Sequence, residues 1–103
     1  MKRWNIPDWL ATEIVERDKY CVYCGVIFGL AGANKGQLPS WEHIINDALI
    51  ITRENIARCC CSCNASKGAK LLSIWLESSY CKQRSINLET VAEVVKATLM
   101  RPT

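Results

Sequence analysis

Two C-x-x-C pairs constrain the fold of this 103-residue chain more than any other feature of its sequence. The first pair lies in "CVYC", the second lies within "CCCSC", and 35 residues (25 to 59) separate them. Zinc prefers tetrahedral sulfur ligation, and a C-x-x-C turn supplies two thiolates about one tetrahedral edge apart. Four thiolates leave no open position for a substrate, so the role is structural. The predicted zinc ligands are Cys21, Cys24, Cys60 and Cys63.

The other cysteines argue against a fold held together by disulfides alone. Seven cysteines leave one unpaired in any such arrangement, and paired thiols in a reducing compartment are more often metal ligands. The alternative reading of either C-x-x-C is a thioredoxin-like redox pair, which requires a βαβ context that the sequence does not show. Cys59, Cys61 and Cys81 are then free thiols, with a disulfide or alternative ligation among them as a minor possibility.

Length and composition indicate one small domain, which we take as residues 1–103. Half of the residues are apolar, but so short a chain buries a limited fraction of its surface and gains from a metal. No apolar run approaches the length of a transmembrane helix, and the basic start lacks the apolar segment of a signal peptide. We therefore expect an intracellular, cytoplasmic protein with no membrane partner. The net charge of +3 supports a polyanionic partner only weakly.

Hydrophobic spacing predicts helices at both ends of the chain. Pro7 suits a first turn, and the apolar residues that follow predict a helix over 6–19. Near the other end, Asn87 is a candidate cap for a helix over 87–99. Its apolar face is expected to pack inside the domain rather than against a second copy. That face consists of Val91, Val94, Val95 and Leu99.

The middle of the chain predicts two strands and a longer helix. Residues 29–40 are rich in Gly, Asn, Pro and Ser and predict a loop. "WEHII" and "LIIT" then predict two short strands joined by a turn at Asn46–Asp47. A helix is expected from about Ser62 to Tyr80, with Gly68 as a weak point inside it.

Four polar residues that could belong to one catalytic site lie between the first cysteine pair and the residue after the second pair. The only histidine, His43, follows Glu42, and Asn55 and Asn64 follow later. A lone histidine is more often structural, but a neutral imidazole near pH 7 can remove a proton from water. Carboxylate and amide oxygens suit Mg²⁺ or Mn²⁺. Together they supply a base, a Lewis acid and open positions for phosphate and water.

In the order of these cysteine pairs and polar residues, the chain resembles the HNH endonuclease family over residues 21–68. The shared pattern is a cysteine knuckle, an acidic residue plus His, a middle Asn, and a closing "CSCNASKG". The resemblance implies an α+β fold with a ββα-metal, treble-clef-like core between flanking helices. It implies His43 as general base, with Glu42 and Asn64 as ligands of a catalytic Mg²⁺ or Mn²⁺. It also implies that Asn55 holds the loop that orients His43 and that Lys67 faces a phosphate.

The implied activity is hydrolysis of DNA phosphodiester bonds, with one strand nicked per encounter. DNA is preferred to RNA by resemblance only, and a monomer is expected, with a dimer as the alternative. Many family members carry Asp in place of Glu42, and "NDAL" departs from their usual hairpin turn. Strict strand alternation also sends Glu42 and His43 to opposite faces, so a shared site requires a twisted or ending strand.

Three other functions remain open at this point. A non-catalytic zinc module that binds nucleic acid explains the cysteines equally well. This alternative does not explain why Glu42, His43, Asn55 and Asn64 occur in that order. A redox protein and a small protein-interaction module, with helix 87–99 as its docking surface, are the further alternatives.

Overall fold

The fold is α+β, with one two-stranded antiparallel sheet and several short helices. A computed structural model describes residues 5–100. A 3₁₀ turn at Lys35–Gln37 precedes the sheet. In chain order the elements are α1 (Asp8–Arg17), β1 (Pro39–His43), β2 (Ile56–Cys60), α2 (Cys61–Lys67), α3 (Leu72–Trp75), α4 (Ser79–Gln83) and α5 (Glu93–Met100).

Helix α1 lies within the predicted range 6–19 and packs on β2. Pro7 is its N-cap residue in extended conformation, and the chain leaves the helix at Asp18. Leu10 and Ile14 are fully buried and form a small apolar cluster with Ile56 of β2. The apolar stripe read from the sequence is therefore the face that fixes this helix to the sheet.

Strand β1 overlaps the first predicted strand but begins and ends two residues earlier, at Pro39 and His43, and the second predicted strand is wrong. β2 lies at Ile56–Cys60 and pairs Trp41 with Arg58 and His43 with Ile56. The expected strand 49–52 is instead part of the connection, where Leu49 is 89% exposed. A short apolar run by itself does not distinguish a strand from a loop, because only the pairing partner supplies the ladder hydrogen bonds.

Helix α2 follows β2 directly, and the long helix expected over 62–80 is wrong. α2 ends at Gly68, which has a positive φ of 51°. Two further short helices replace the expected continuation, and Ser78 caps the second of them by accepting from the Cys81 backbone N–H. The weak point noted in the sequence therefore ends the helix, since glycine adopts positive φ at little cost.

The C-terminal helix is shorter than predicted, but its apolar face packs as expected. Residues 87–91 form a turn, in which the Asn87 N–H donates to Thr90 Oγ1 at 2.9 Å, and α5 begins only at Glu93. Val91 and Val95 are buried in the main core with Trp75. Within the described residues, no helix is long and apolar enough to cross a membrane.

Candidate functional site

The four cysteines of the two C-x-x-C pairs converge on one point. Their Sγ atoms all lie within 4.8 Å of one another. Cys24 and Cys60 come from different pairs, and their sulfurs are 3.7 Å apart. A zinc ion with Zn–S bonds of about 2.3 Å places tetrahedral sulfurs roughly 3.8 Å apart. The geometry of the cluster therefore fits a four-coordinate divalent cation that prefers sulfur.

The first pair is held in place by a tight turn. The Gly25 N–H donates to the Cys21 carbonyl at 3.0 Å, and Gly25 has a φ of 80°, which glycine adopts at little cost. The backbone N–H groups of Tyr23 and Cys24 each donate to Cys21 Sγ at 3.4 Å. Donors aimed at a sulfur favour its thiolate, which is the form that binds a metal.

The second pair lies at the junction of β2 and α2. Cys60 ends the strand and caps the helix, with its Sγ accepting from the Cys63 N–H at 3.4 Å. Tyr80 of α4 donates its hydroxyl to Cys63 Sγ at 3.3 Å. Strand β2, helix α2 and helix α4 thus all contribute residues to this cluster or contact it.

The cluster also perturbs the acidity of its own thiols. The pKa of Cys24 is lowered far below its usual range, because Cys21 first and then Cys60 hydrogen-bond to its thiolate. The pKa of Cys63 is raised far above its usual range by the sulfurs of Cys21, Cys24 and Cys60. Binding of a divalent cation to these four sulfurs would release the protons that remain on them, because a metal binds the thiolate form.

The three remaining cysteines lie outside this cluster. Cys59 and Cys81 are buried, and Cys61 is half-buried. Burial raises the pKa of both Cys59 and Cys81, which keeps them as neutral thiols. None of the three forms a disulfide, so they remain free thiols as expected from the sequence.

A polar pocket of about 190 Å³ opens at the carboxyl end of β1. Glu42 and His43 of β1 line it together with Asn64 of α2. Alternation holds along the strand, because Glu42 is buried while His43 is half-buried. Both nevertheless reach the pocket, since the strand ends there. The complete lining is Trp41, Glu42, His43, Asn46, Ala48, Asn64 and Gly68.

The surroundings of His43 favour its neutral form. Burial is the main cause that lowers its pKa, and the positive charge of Lys67 acts in the same direction. The carboxylates of Glu42 and Asp47 oppose this shift but do not cancel it. A neutral imidazole can accept a proton, so the pocket contains a group suited to general-base chemistry.

Asn55 fixes the loop that follows His43 but does not line the pocket. Its Oδ1 accepts from the Ile45 N–H at 2.7 Å, and its Nδ2 donates to the carbonyls of Ile45 and Ile50 at 3.1 Å each. Its backbone carbonyl also accepts from the Ile44 N–H at 2.9 Å. One buried side chain thus closes the connection between the strands.

Asn64 is oriented by two hydrogen bonds to β1. Its Nδ2 donates to Ser40 Oγ at 2.9 Å and to the Trp41 carbonyl at 3.2 Å. Because both contacts use the amide nitrogen, the amide oxygen is the ligand atom that Asn64 can offer. Asn64 of α2 and Glu42 of β1 therefore line one pocket.

Lys67 lies in a different environment from the one expected. It is 1% exposed, and its Nζ is 3.1 Å from Oε2 of Glu42, which is 6% exposed. Tyr23 donates its hydroxyl to the same Oε2 at 2.7 Å. Lys67 is therefore not exposed to a phosphate in solvent. Its ammonium group instead supplies the positive charge that a buried carboxylate requires.

Tyr23 is the residue that the sequence did not reveal. It occupies a variable position inside the first C-x-x-C turn, where no spacing rule assigns a function. Its burial raises its pKa well above the usual range, and Glu42 adds to that effect. It is therefore a neutral hydroxyl donor that links the sulfur cluster to the polar pocket.

Comparison of the chain with protein-family models, curated proteins and solved structures finds no match. Function must therefore be argued from the residues and their geometry. Between residues 5 and 100, the four-cysteine group is the one cluster of His, Cys, Asp or Glu side chains with metal-ligand spacing. The polar pocket adds amide and carboxylate oxygens close to that group.

Proposed function

We propose that this protein is a metal-dependent DNA endonuclease of the HNH kind. The observation that carries the proposal is the polar pocket, where Glu42, His43 and Asn64 meet from two different elements. A carboxylate, an imidazole and an amide oxygen are a sufficient set for metal-assisted hydrolysis of a phosphodiester. The order of β1, β2 and α2 along the chain is the order that the resemblance implies.

The four-cysteine cluster is proposed to hold a structural zinc ion. Sulfur ligands, the tetrahedral spacing and the burial of three of the four cysteines all support this choice. Zinc bound there would join the turn after α1 to the junction of β2 and α2. Its role in the proposal is to hold the strand that carries His43 against the helix that carries Asn64.

The polar pocket is proposed to hold Mg²⁺ or Mn²⁺ through Glu42 and Asn64. Both Glu42 contacts involve Oε2, so Oε1 is the carboxylate oxygen proposed as ligand. Two protein oxygens with water in the remaining positions suit these hard cations. When bound, the cation would stabilise negative charge on the phosphate and on the departing oxygen.

The side chains around the pocket have separate proposed tasks. His43 accepts the proton of the attacking water, for which its lowered pKa is suitable. Asn55 keeps the loop after His43 closed. Lys67 and Tyr23 both contact Oε2 of Glu42 and hold its carboxylate in one orientation. DNA is the proposed substrate because the HNH resemblance favours it over RNA.

One pocket in one chain hydrolyses one phosphodiester bond at a time. The apolar face of Val91, Val94, Val95 and Leu99, the candidate surface for joining two copies, packs in the core of its own domain. We therefore propose a monomer that nicks supercoiled DNA, with linear product formed later by independent nicks.

A plasmid cleavage assay with zinc-loaded protein tests this function. Supercoiled plasmid with Mg²⁺ or Mn²⁺ should give open circles first, and His43→Ala should lower the rate by about two to four orders of magnitude. His43→Ala should retain its zinc and its melting temperature. Activity of that variant within about threefold of wild type would remove His43 from the mechanism.

A non-catalytic zinc module that binds nucleic acid is the second candidate. The ion pair of Lys67 with Glu42 favours it, because an internal cation already neutralises the carboxylate. This candidate predicts DNA binding without cleavage at any concentration of Mg²⁺ or Mn²⁺. The plasmid assay, combined with a binding measurement, separates the two functions.

A further inference from the structure

We propose that Arg58, held between the rings of Phe28 and Trp41, is an anchor for the phosphate backbone of DNA beside the polar pocket. The proposal rests on the proposed function, since it names where the substrate of that site is held. It assigns a role to a residue of β2, a strand that carries none of the predicted catalytic residues.

Arg58 lies on the same sheet face as Trp41 and makes contacts with two aromatic rings. The two residues are paired in the β1–β2 register. The Arg58 guanidinium carbon is 5.1 Å from the Phe28 ring centroid and 6.0 Å from the Trp41 ring centroid. Such contacts fix the plane of a guanidinium without using its N–H donors.

Other arginines use their donors within the protein. Arg17 binds Asp18 through two nitrogens, and Arg53 binds Glu13 through two nitrogens. Across residues 5–100, the guanidinium of Arg58 has no hydrogen bond or ion pair comparable to these. The nearest acidic influence on it is Asp18, whose two oxygens already accept from Arg17.

The two lysines near the site, Lys67 and Lys70, also make contacts within the protein. Lys67 is buried against Glu42, and Lys70 donates to the Ser66 carbonyl at 2.9 Å. Burial lowers the pKa of Arg58 from its usual value, as expected for a partly enclosed cation that lacks a close anion. Compared with Arg53, Lys67 and Lys70, Arg58 is the one whose side chain has no hydrogen bond or ion pair with another described residue.

Its position relative to the pocket suits a neighbouring phosphate of the same strand. His43 and Trp41 share one face of β1, two residues or roughly 7 Å apart, and the adjacent strand adds about 5 Å laterally. Trp41 also lines the pocket with His43. DNA carries one phosphate per roughly 3.4 Å of helix axis on each strand, so the separation of the Arg58 and His43 backbone positions corresponds to about two or three phosphates.

The chemistry of the pair defines the ligand class. A guanidinium whose N–H donors are not used within the protein can bind phosphate oxygens bidentately. It carries no donor and acceptor pattern directed at a base in this arrangement. We therefore expect backbone binding that is independent of DNA sequence.

Binding of a fluorescently labelled DNA duplex to the zinc-loaded protein, without Mg²⁺ or Mn²⁺, tests the anchor. Arg58→Gln should raise the dissociation constant about tenfold, as for loss of a hydrogen bond to a charged group. It should also reduce the slope of affinity against salt concentration by about one. Arg58→Lys should keep the salt slope but bind more weakly, because lysine lacks the stacked, planar fork.

Arg84→Gln is the matched control, since it removes the same charge from α4. Arg84 stacks on Tyr80 and donates to the Tyr80 carbonyl, so its loss should leave the affinity within about twofold. Zinc content and melting temperature of every variant establish that the fold is retained.

The possible results distinguish failure of the Arg58 anchor from failure of the nuclease proposal on which it rests. Plasmid cleavage by wild type, with Arg58→Gln unchanged in affinity and salt slope, would overturn the anchor and leave the nuclease proposal standing. Equal weakening by Arg58→Gln and Arg84→Gln would also overturn it, because the effect would then be net charge alone. A wild-type protein that neither binds the duplex nor cuts plasmid would overturn both proposals.

Discussion

The sulfur cluster and the polar pocket share the same supporting elements but are built in different ways. Cys63 and Asn64 are adjacent in α2, yet Cys63 belongs to the cluster and Asn64 lines the pocket. The cluster has its four ligand atoms within one small tetrahedron. The pocket has an open space of about 190 Å³ among its polar groups.

This difference separates a structural centre from a site that can exchange ligands. Closed sulfur ligation gives a metal no position for water or substrate. An open pocket with few protein oxygens leaves such positions available. Changes in the cluster should therefore act first on folding, and changes around the pocket should act first on chemistry or local structure.

The largest effect is expected from Cys63→Ser. Metal binding to a structural zinc site is coupled to folding and is worth about 10–16 kcal/mol in small zinc-finger peptides. A serine hydroxyl is a poor replacement for thiolate, so we expect loss of bound metal and of cooperative unfolding. Elemental analysis and thermal circular dichroism measure both quantities.

Cys61→Ser is the control for that substitution, because Cys61 is half-buried and lies outside the cluster. It should keep one zinc per chain and a near-native melting temperature. If Cys63→Ser also retained stoichiometric zinc with unchanged melting, the assigned ligand set would be wrong.

Lys67→Met is expected to have the next largest effect. The substitution removes the ammonium group that contacts Glu42 and leaves a buried carboxylate without its counter-charge. Breaking one partner of a buried ion pair typically costs about 3–5 kcal/mol. Urea denaturation measures the loss, and zinc content should not change, because neither residue belongs to the sulfur cluster.

The double variant with Glu42→Gln and Lys67→Met sharpens this test. Removal of both charges should restore much of the lost stability, since the single variant suffers mainly from an uncompensated charge. A loss below about 1 kcal/mol in Lys67→Met alone would show that water reaches the pair in solution.

Asn55→Ala should have a smaller and more local effect. It removes the side-chain hydrogen bonds to Ile45 and Ile50 that close the loop after His43. We expect a loss of roughly 2 kcal/mol, since each net hydrogen bond contributes about 0.5–1.5 kcal/mol. Amide hydrogen exchange at Ile45 should become faster, whereas exchange in α1 should change little. Uniformly faster exchange across the domain would contradict a local role.

Tyr80→Phe is expected to have the smallest effect. It removes the hydroxyl that donates to Cys63 Sγ and keeps the ring that contacts Trp75. Loss of such an outer hydrogen bond typically weakens metal affinity about tenfold or somewhat more. Competition with a chromophoric zinc chelator measures this change. An unchanged affinity would show that the contact serves packing alone.

Local residue spacing is enough to identify the sulfur cluster and several elements of this chain. A C-x-x-C turn sets the distance between its two sulfurs within four residues. The four clustered cysteines can therefore be predicted before the fold is known. The same holds for α1, whose buried face follows from helical periodicity. Val91 and Val95 are buried as that periodicity predicts, although Val91 lies in the turn before α5. Gly68 was likewise visible as a weak point, although not as a helix end.

Tertiary packing decides the second strand and the surroundings of the pocket. β2 forms at Ile56–Cys60 because that segment pairs with β1, and the more apolar run before it does not. Glu42 meets Lys67 and Tyr23 only because the sheet, α2 and the first cysteine turn pack together. Such contacts join residues far apart in sequence, and their energy depends on burial, which no local pattern encodes.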